Sequence, residues 1–191
     1  MHKQKGFSLI EVLVTLVLTT IGVLGMVVLQ SKAVTYTSDA SARDTAVTLT
    51  NELIEIMRSH RDDLFKYKPP AEYAYMQILR STDVYSNGAL TVYTSDCPNI
   101  GQPQNLKERA GCWVQKMEQS LPAPEPGANG LAVGRVVICP SFELNNGAPS
   151  CAGSTYVGSG LAVQITWRGK DQVCGSNNNQ WNCSYTARVE L

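Results

Sequence analysis

One acidic side chain, Glu11, lies within an otherwise apolar run of the N-terminal sequence, residues 7–29. A carboxylate one helical turn into a membrane segment costs up to about 2.5–3.5 kcal/mol, and less near the interface. Such a group usually has a partner of opposite charge, because the attraction between two charges is strong where the dielectric constant is low. The alternative is that Glu11 only reaches outward to the lipid headgroups. The sequence therefore predicts an ion pair within a membrane or an interfacial carboxylate.

Six cysteines are the second chemical feature, and all of them lie in the second half of the chain. An even number of widely spaced cysteines without a CxxC pair is typical of disulfides formed in an oxidising compartment. Six cysteines permit fifteen pairings, so the sequence leaves the connectivity open. The pairing that we favour follows chain order and closes three short loops, Cys97–Cys112, Cys139–Cys151 and Cys174–Cys183.

Residues that would support catalysis are few. The histidines are His2, near the N-terminus, and His60, for which a solvated place on a helix surface is more plausible than a Ser-His-Asp site. The sequence contains neither a glycine-rich phosphate loop nor an HExxH motif. Sixteen basic residues balance sixteen acidic ones, so no general attraction to nucleic acid is expected. We predict a protein that is not an enzyme and that has no cofactor, bound metal or nucleic-acid partner.

A membrane-spanning helix is the element that must position Glu11. Residues 7–29 would form a helix of roughly 35 Å, enough to cross a bilayer core of about 30 Å. Lys3 and Lys5 precede this run, which predicts that the N-terminus stays in the cytoplasm and that the following residues lie outside. A secretory signal would be shorter and would end in an Ala-x-Ala site. A plain signal anchor would explain the length but not Glu11.

The same helix is predicted to continue beyond the membrane. Residues 30–68 contain no glycine and no proline, and Pro69 and Pro70 then end the helix. Gly22 and Gly25 are the points at which the helix bends or opens most easily. Apolar residues recur with helical spacing along one face and predict a packed stripe: Val47, Thr50, Leu53, Ile54, Met57 and Leu64.

The second half of the chain predicts a short helix and several strands. Residues 105–121 have helical periodicity around Trp113, and Pro122 ends the pattern. Residues 89–94 and 131–139 are predicted strands. Residues 161–168 and 184–191 alternate between apolar and polar side chains, as in an antiparallel sheet with one face against a helix.

The start of the chain resembles a known processing signal. Gly6, Phe7, Ser8 and Glu11, after a short basic leader and within a long apolar run, resemble the class III signal of type IV pilins and of type II secretion pseudopilins. The resemblance implies that a prepilin peptidase removes the leader between Gly6 and Phe7 and then methylates the new amine. It also implies that this amine is the counter-charge of Glu11, so that Phe7 and Glu11 act together in assembly.

Within that family, the chain is most similar to the V-type minor pilins, the type IV pilus modification proteins. The similarity rests on the N-terminal run, the helical segment 51–64, the Trp113 helix and the glycine-rich connectors. It implies a scarce subunit that primes pilus assembly with other minor pilins and the major pilin, sits at the pilus tip, and supports twitching motility and adhesion. An inner-membrane assembly platform and membrane lipid are the other implied partners. The absence of a proline in the helix and the several cysteine loops differ from a major pilin.

These observations predict an α+β protein of the type IV pilin fold. Its long N-terminal helix would cross the inner membrane and pack on a small antiparallel β-sheet that carries disulfides. The expected organisation is a leader at 1–6, a helix at 7–68 with its transmembrane part at 7–29, and a periplasmic domain at 70–191 that later reaches the pilus on the cell surface. A type II secretion pseudopilin, or a pilin that binds host surfaces or DNA, remains the alternative.

Overall fold

The computed structural model describes residues 8–64, 84–86, 89–124, 135–140, 144–145, 148–149, 160–169, 174 and 182–190. The chain divides into two compact units, Met1–Ala40 and Ser41–Leu191. The first is represented by helix alone. The second contains the C-terminal part of that helix together with the other helices and the strands.

Helix α1 spans Leu9–Ser59 and is followed by one short turn of helix, α2 (Arg61–Leu64). The prediction of one helix to residue 68 was therefore wrong at His60, where a turn separates the two elements. The Ser59 hydroxyl donates to the carbonyl of Ile56 at 2.9 Å. At the turn, the His60 N–H still donates to the Ile56 carbonyl at 3.2 Å, and the Asp63 N–H donates to the His60 carbonyl at 3.1 Å.

The buried face of α1 lies within the unit Ser41–Leu191. Its residues follow the spacing of one helical face: Ala46, Leu49, Thr50, Leu53, Ile54 and Met57. The predicted stripe is confirmed at the last four of these positions, whereas Val47 is only half-buried. Ala46 and Leu49 fit the 3.6-residue period better than Val47 does, so the true stripe begins one residue earlier. The side chain of Leu64 lies outside the described residues.

Helix α3 spans Leu106–Ser120, as its periodicity predicts. It begins at Asn105, whose side chain accepts the Glu108 N–H, and the Leu121 N–H donates to the Met117 carbonyl at its C-terminus. Its buried residues, Leu106, Ala110, Gly111, Trp113, Val114 and Met117, lie on one face.

The main sheet has the strand order β1-β2-β3-β6-β7, and all its neighbouring strands are antiparallel. The strands are β1 (Tyr85–Ser86), β2 (Ala89–Leu90), β3 (Val136–Pro140), β6 (Gly160–Arg168) and β7 (Asn182–Glu190). A second sheet pairs β4 (Leu144–Asn145) with β5 (Ala148–Pro149). β6 and β7 pair along their whole length, from Gly160 opposite Glu190 to Arg168 opposite Asn182.

Two strand predictions need correction. The predicted strand 89–94 ends at Leu90, and a 3-10 turn forms over Thr94–Asp96. The Asp96 carboxylate accepts the Tyr93 N–H at 2.8 Å, which favours the turn over an extended chain. The second correction concerns β6, where alternation predicted one buried face. Ala162 and Gln164 of the opposite face are buried as well, and β5 contacts this strand. Of the predicted strand 131–139, residues 131–134 lie outside the described part of the chain, so only the portion that forms β3 is tested.

One hydrophobic core joins α1, α3 and the inner face of the sheet. Leu49, Met117, Val136, Leu161 and Ile165 are almost completely buried in it. The predicted α+β class is thus confirmed: a long N-terminal helix with an apolar start, a small antiparallel sheet and disulfides, in a pilin-like arrangement.

Candidate functional site

Glu11 lies in the first turn of α1, close to its N-terminus. The Ser8 carbonyl accepts the N–H groups of Glu11 and Val12 at 3.0 and 3.3 Å, which fixes the start of the helix. The helix dipole stabilises an acidic side chain in this position by about 0.3–1 kcal/mol. That gain is smaller than the cost of about 2.5–3.5 kcal/mol for a charge inside a membrane. The dipole alone therefore does not account for a carboxylate in this segment if it enters a bilayer.

The threonines of the same apolar run need no external partner. Thr15, Thr19 and Thr20 donate their hydroxyls to the carbonyls three residues earlier, at 2.9, 3.0 and 2.8 Å. Hydroxyls satisfied within the helix can face hydrocarbon at little cost. Within the described residues, by contrast, the Glu11 carboxylate has no hydrogen-bond or ion-pair partner. Glu11 therefore differs from these threonines, because its carboxylate still needs a hydrogen-bond or ion-pair partner.

The residues predicted to be cut and methylated, Gly6 and Phe7, lie outside the described residues. Their roles, and the pairing of the Phe7 amine with Glu11, stay predictions. The helix that follows them is described. It is long and apolar enough to cross a membrane, and its most apolar stretch is entirely exposed in the chain by itself. Solvent-exposed leucines, valines and isoleucines in such number are suited to lipid or to other apolar helices.

Among the described residues, four cysteines form two disulfides with different surroundings. Cys97–Cys112 joins the end of the 3-10 turn to α3, and both residues are half-buried. Cys174–Cys183 joins the exposed Cys174 to the buried Cys183 near the start of β7. Both bonds link cysteines that are neighbours in chain order. Cys139 lies in β3, and its pairing with Cys151 stays a prediction because Cys151 lies outside the described residues.

A clamp between α1 and α3 holds the helical layer of the unit Ser41–Leu191 together. The buried Trp113 indole Nε1 donates to the Leu49 carbonyl at 2.9 Å. The Lys116 ammonium lies 2.7 Å from the Glu52 carboxylate on the exposed rim of the same contact. Sequence periodicity predicted Trp113 as a packing residue but gave no indication of its hydrogen bond, because the acceptor is sixty-four residues away in the chain.

A second close approach was missed by sequence reasoning. A methyl group placed on Gly111 would lie 2.8 Å from the Asp96 Cβ and 2.9 Å from the Cys97 nitrogen. Real Cβ atoms do not come so near, so the 3-10 turn can pack on α3 only because residue 111 is glycine. The adjacent Cys97–Cys112 disulfide holds the same two elements together.

Arg135 is a buried cation that the sequence gave no reason to select. Its guanidinium Nη2 donates to the carbonyls of Leu121 and Pro122 at 3.1 and 3.2 Å, just beyond the end of α3. Burial lowers the pKa of this guanidinium, and the negative charge of Glu118 raises it by a smaller amount. The positive charge complements the C-terminal end of the helix dipole, and the Pro122 carbonyl accepts the Arg168 N–H at 3.2 Å as well.

The arrangement around His60 is structural. His60 Nδ1 lies 3.2 Å from an Asp63 carboxylate oxygen, while the neighbouring Ser59 hydroxyl donates to Ile56. Ser59 is therefore not aimed at the imidazole as a nucleophile would be. Within the described part of the chain, no three acidic, histidine or cysteine side chains form a group that could hold a metal ion.

Comparison with known proteins identifies the N-terminal segment. Residues 1–27 match the family described as the prokaryotic N-terminal methylation motif. This match confirms the class III prepilin signal and does not extend to the remaining residues. Comparison with curated proteins and with solved structures gave no significant match.

Proposed function

We propose that this chain, a type IV pilin-like or pseudopilin protein by its N-terminal signal, is a minor pilin of a type IV pilus. In this proposal it is held in the inner membrane by the first part of α1, with the unit that contains the sheet in the periplasm. It then joins other minor pilins in priming the assembly of the pilus and stays near the tip. Twitching motility and adhesion depend on it through the number of pili.

The observation that carries the proposal is that the Glu11 carboxylate, which lies within the matched prepilin signal, has no partner among the described residues. Processing at Gly6 would create a positively charged amine on Phe7, one helical turn from Glu11. In an apolar environment two opposite charges attract far more strongly than in water. Glu11 would meet the Phe7 amine of a neighbouring subunit, and this pair would set the axial position of each chain added to the filament.

The proposed partners are the proteins that would process the chain and add it to the filament. A prepilin peptidase cuts and methylates the N-terminus, and an inner-membrane assembly platform then receives the mature chain. Other minor pilins and the major pilin supply the neighbouring helices. The disulfides support a periplasmic location, because such bonds form and persist in oxidising compartments.

Two features favour a minor pilin over a major one. The whole of α1 lacks proline, and Gly22 and Gly25 are its only glycines. The chain also has two described disulfide loops rather than a single loop near the C-terminus. A minor pseudopilin of a type II secretion system would share both features, so the experiment must separate a pilus from a secretion system.

Processing is tested by N-terminal sequencing of the protein in its host. The wild-type chain should begin at Phe7, and Gly6→Val should leave the leader attached while membrane insertion, which follows hydrophobicity, is kept. Full-length protein that begins at Met1 in sheared filaments would contradict the proposal.

The choice of machine is tested with a deletion strain. Pili on the cell surface are counted by electron microscopy, and proteins exported by type II secretion are measured in the same cultures. Fewer pili of normal thickness, with secretion unchanged, are expected. Normal pili with impaired secretion would assign the chain to a pseudopilus instead.

A further inference from the structure

The disulfide between Cys97 and Cys112 lies where the 3-10 turn meets α3. Cys97 directly follows the turn, and Cys112 lies in α3, with a separation of 15 residues along the chain. Both cysteines are only half-buried, so a small thiol such as glutathione has access to the bond. The non-covalent contacts around the bond decide what happens to the two cysteines when it is reduced.

The turn keeps its shape through hydrogen bonds of its own. The Tyr93 N–H donates to the Asp96 carboxylate at 2.8 Å, and the Asp96 N–H donates to the Tyr93 carbonyl at 3.0 Å. The Cys97 N–H donates to the Thr94 carbonyl at 3.2 Å. None of these three bonds involves a sulfur atom, so the turn itself positions the backbone of Cys97.

The turn also packs on α3 without the help of sulfur. A Cβ atom on Gly111 would lie 2.8 Å from the Asp96 Cβ and 2.9 Å from the Cys97 nitrogen. The backbone of the turn therefore rests directly on the residue that precedes Cys112. Beside this contact, the Lys107 ammonium lies 3.5 Å from the Asp96 carboxylate. Close packing and opposite charge thus act on the two cysteines in addition to the covalent bond.

Cys112 is held from the side of the core. Its neighbour Trp113 is buried, and the Trp113 indole donates to the Leu49 carbonyl at 2.9 Å. The start of α3 is fixed as well, because the Asn105 side chain accepts the Glu108 N–H. Neither interaction involves the disulfide, so these contacts position α3 and its cysteine independently of the bond.

We propose that the Cys97–Cys112 disulfide is a redox-sensitive bond that opens and closes within the folded unit Ser41–Leu191. One glutathione thiolate attacks a sulfur atom of the pair, forms a mixed disulfide with that cysteine and releases the other cysteine as a thiol. A second glutathione attacks the glutathione sulfur of the mixed disulfide and leaves with it as oxidised glutathione. The two glutathiones supply the two electrons, and both cysteines end as thiols. Oxidised glutathione reverses these steps, because the turn stays packed on Gly111 and keeps the thiols adjacent.

Bond formation and folding are then separate equilibria. With the reduced pair held in the folded unit, the equilibrium with glutathione depends on the contact between the turn and α3 and not on the rest of the core. If reduction instead unfolded the unit, the same equilibrium would include the free energy of folding, and any core substitution would shift it. A core substitution outside the turn and α3 distinguishes the two cases.

The first test equilibrates the full-length chain in detergent with mixtures of reduced and oxidised glutathione. Free thiols are then alkylated, and mass spectrometry quantifies each cysteine pair. Leu53→Ala, which removes a core side chain of α1, should leave the Cys97–Cys112 equilibrium unchanged. A shift toward the reduced pair that matches the effect of Leu53→Ala on unfolding, about thirtyfold or more, would overturn the proposal.

Gly111→Ala should act on the same equilibrium directly. The added methyl group displaces the turn, so the reduced pair should be favoured by about five- to 150-fold over the wild type. An unchanged equilibrium in this variant would mean that the contact at Gly111 does not keep the thiols adjacent, which contradicts the proposal.

Two lysines of α3 keep the test decisive if Gly111→Ala does not fold. Lys107 pairs with Asp96 of the turn, whereas Lys116 pairs with Glu52 of α1. Lys107→Ala should favour the reduced pair by up to about fivefold, the usual range for an exposed ion pair, and Lys116→Ala should have no effect. Equal results for the two variants would show that the contact of the turn does not set the equilibrium.

Hydrogen exchange shows directly whether the turn survives without the bond. In the double variant Cys97→Ser, Cys112→Ser, the amides of residues 96 and 97 should keep their protection, because their acceptors, the Tyr93 and Thr94 carbonyls, lie within the turn. Cys174–Cys183 remains in this variant and serves as the internal control for the fold. Exchange of the two amides at the rate of an unfolded chain would show that the disulfide alone holds the turn and would refute the proposal.

Discussion

The two units of the chain use the same amino acids in opposite ways. In Met1–Ala40 the leucines, valines and isoleucines of α1 are exposed, whereas in Ser41–Leu191 the leucines of the same helix are almost fully buried. Polar groups differ similarly: Glu11 has no partner among the described residues, while Glu52 pairs with Lys116. Among the described residues, α1 thus packs into a core in the second unit and exposes its apolar side chains in the first, a difference that fits the proposed role in assembly.

The largest expected effect separates the two glutamates. Glu11→Ala should give a chain that is cleaved, inserted and stable, because removing a charge eases the burial of an apolar helix. The same variant should be absent from filaments, since the amine of its neighbour then lacks a counter-charge. Immunoblots of sheared filaments and of membranes measure both quantities.

Glu52→Ala is the matched control in the other unit. It breaks an exposed ion pair with Lys116, for which a loss of about 0.2–1 kcal/mol is expected. Its recovery in filaments should equal that of the wild type. Equal recovery of Glu11→Ala and Glu52→Ala would remove the assembly role of Glu11 and with it the main contrast between the two units.

The next effect concerns two leucines of α1. Leu53 is 1% exposed and lies in the core, so Leu53→Ala should lower the free energy of unfolding of its unit by about 2–5 kcal/mol. Leu18 is 63% exposed, and Leu18→Ala should leave that free energy unchanged. Denaturant unfolding of the full-length chain in detergent, followed by tryptophan fluorescence, measures both. A similar loss in the two variants would show that residues 9–40 contribute to the core.

Two glycines provide a smaller contrast. Gly111→Ala should cost about 1–3 kcal/mol, because the new methyl group collides with Asp96 and the overpacked turn must shift. Gly22 has open space around it, and Gly22→Ala gains about 0.8–1 kcal/mol of helix propensity. Hydrogen exchange in detergent should slow about fourfold to fivefold near residue 22 and speed up around the 3-10 turn in the Gly111 variant. Slower exchange in both variants would contradict the close contact at Gly111.

The smallest expected difference lies within the second unit, between two buried tryptophans. Trp113 donates its indole N–H to Leu49, whereas the Trp167 indole N–H has no acceptor among the described residues. Replacement by phenylalanine removes similar volume at both sites. Trp113→Phe should therefore be more destabilising than Trp167→Phe by about 1 kcal/mol, the typical net value of a hydrogen bond. Thermal unfolding followed by circular dichroism compares the two, and a larger loss for Trp167→Phe would reverse the assignment.

The elements that could be predicted from the sequence are those with strong local signals. Helical spacing around Trp113 and the stop at Pro122 predicted α3 almost to the residue, and two-residue alternation predicted β6 and β7. The ends of elements were less predictable. The turn over Thr94–Asp96, for example, is favoured by a single hydrogen bond from the Tyr93 N–H to the Asp96 carboxylate, and such a bond competes with the regular pattern by only a small energy.

The sequence by itself determined three features: the prepilin signal, the apolar helix with one carboxylate, and the location of all six cysteines in the second half of the chain. Each of these depends on residues that are near one another in the chain or on composition, and so needs no fold to be recognised. Only the tertiary structure decided that Trp113 donates to the Leu49 carbonyl, that the 3-10 turn packs on Gly111, and that Arg135 donates to the Leu121 carbonyl just beyond α3. These contacts join segments whose separation along the chain carries no periodic signal, because the packing of the whole core brings their atoms together.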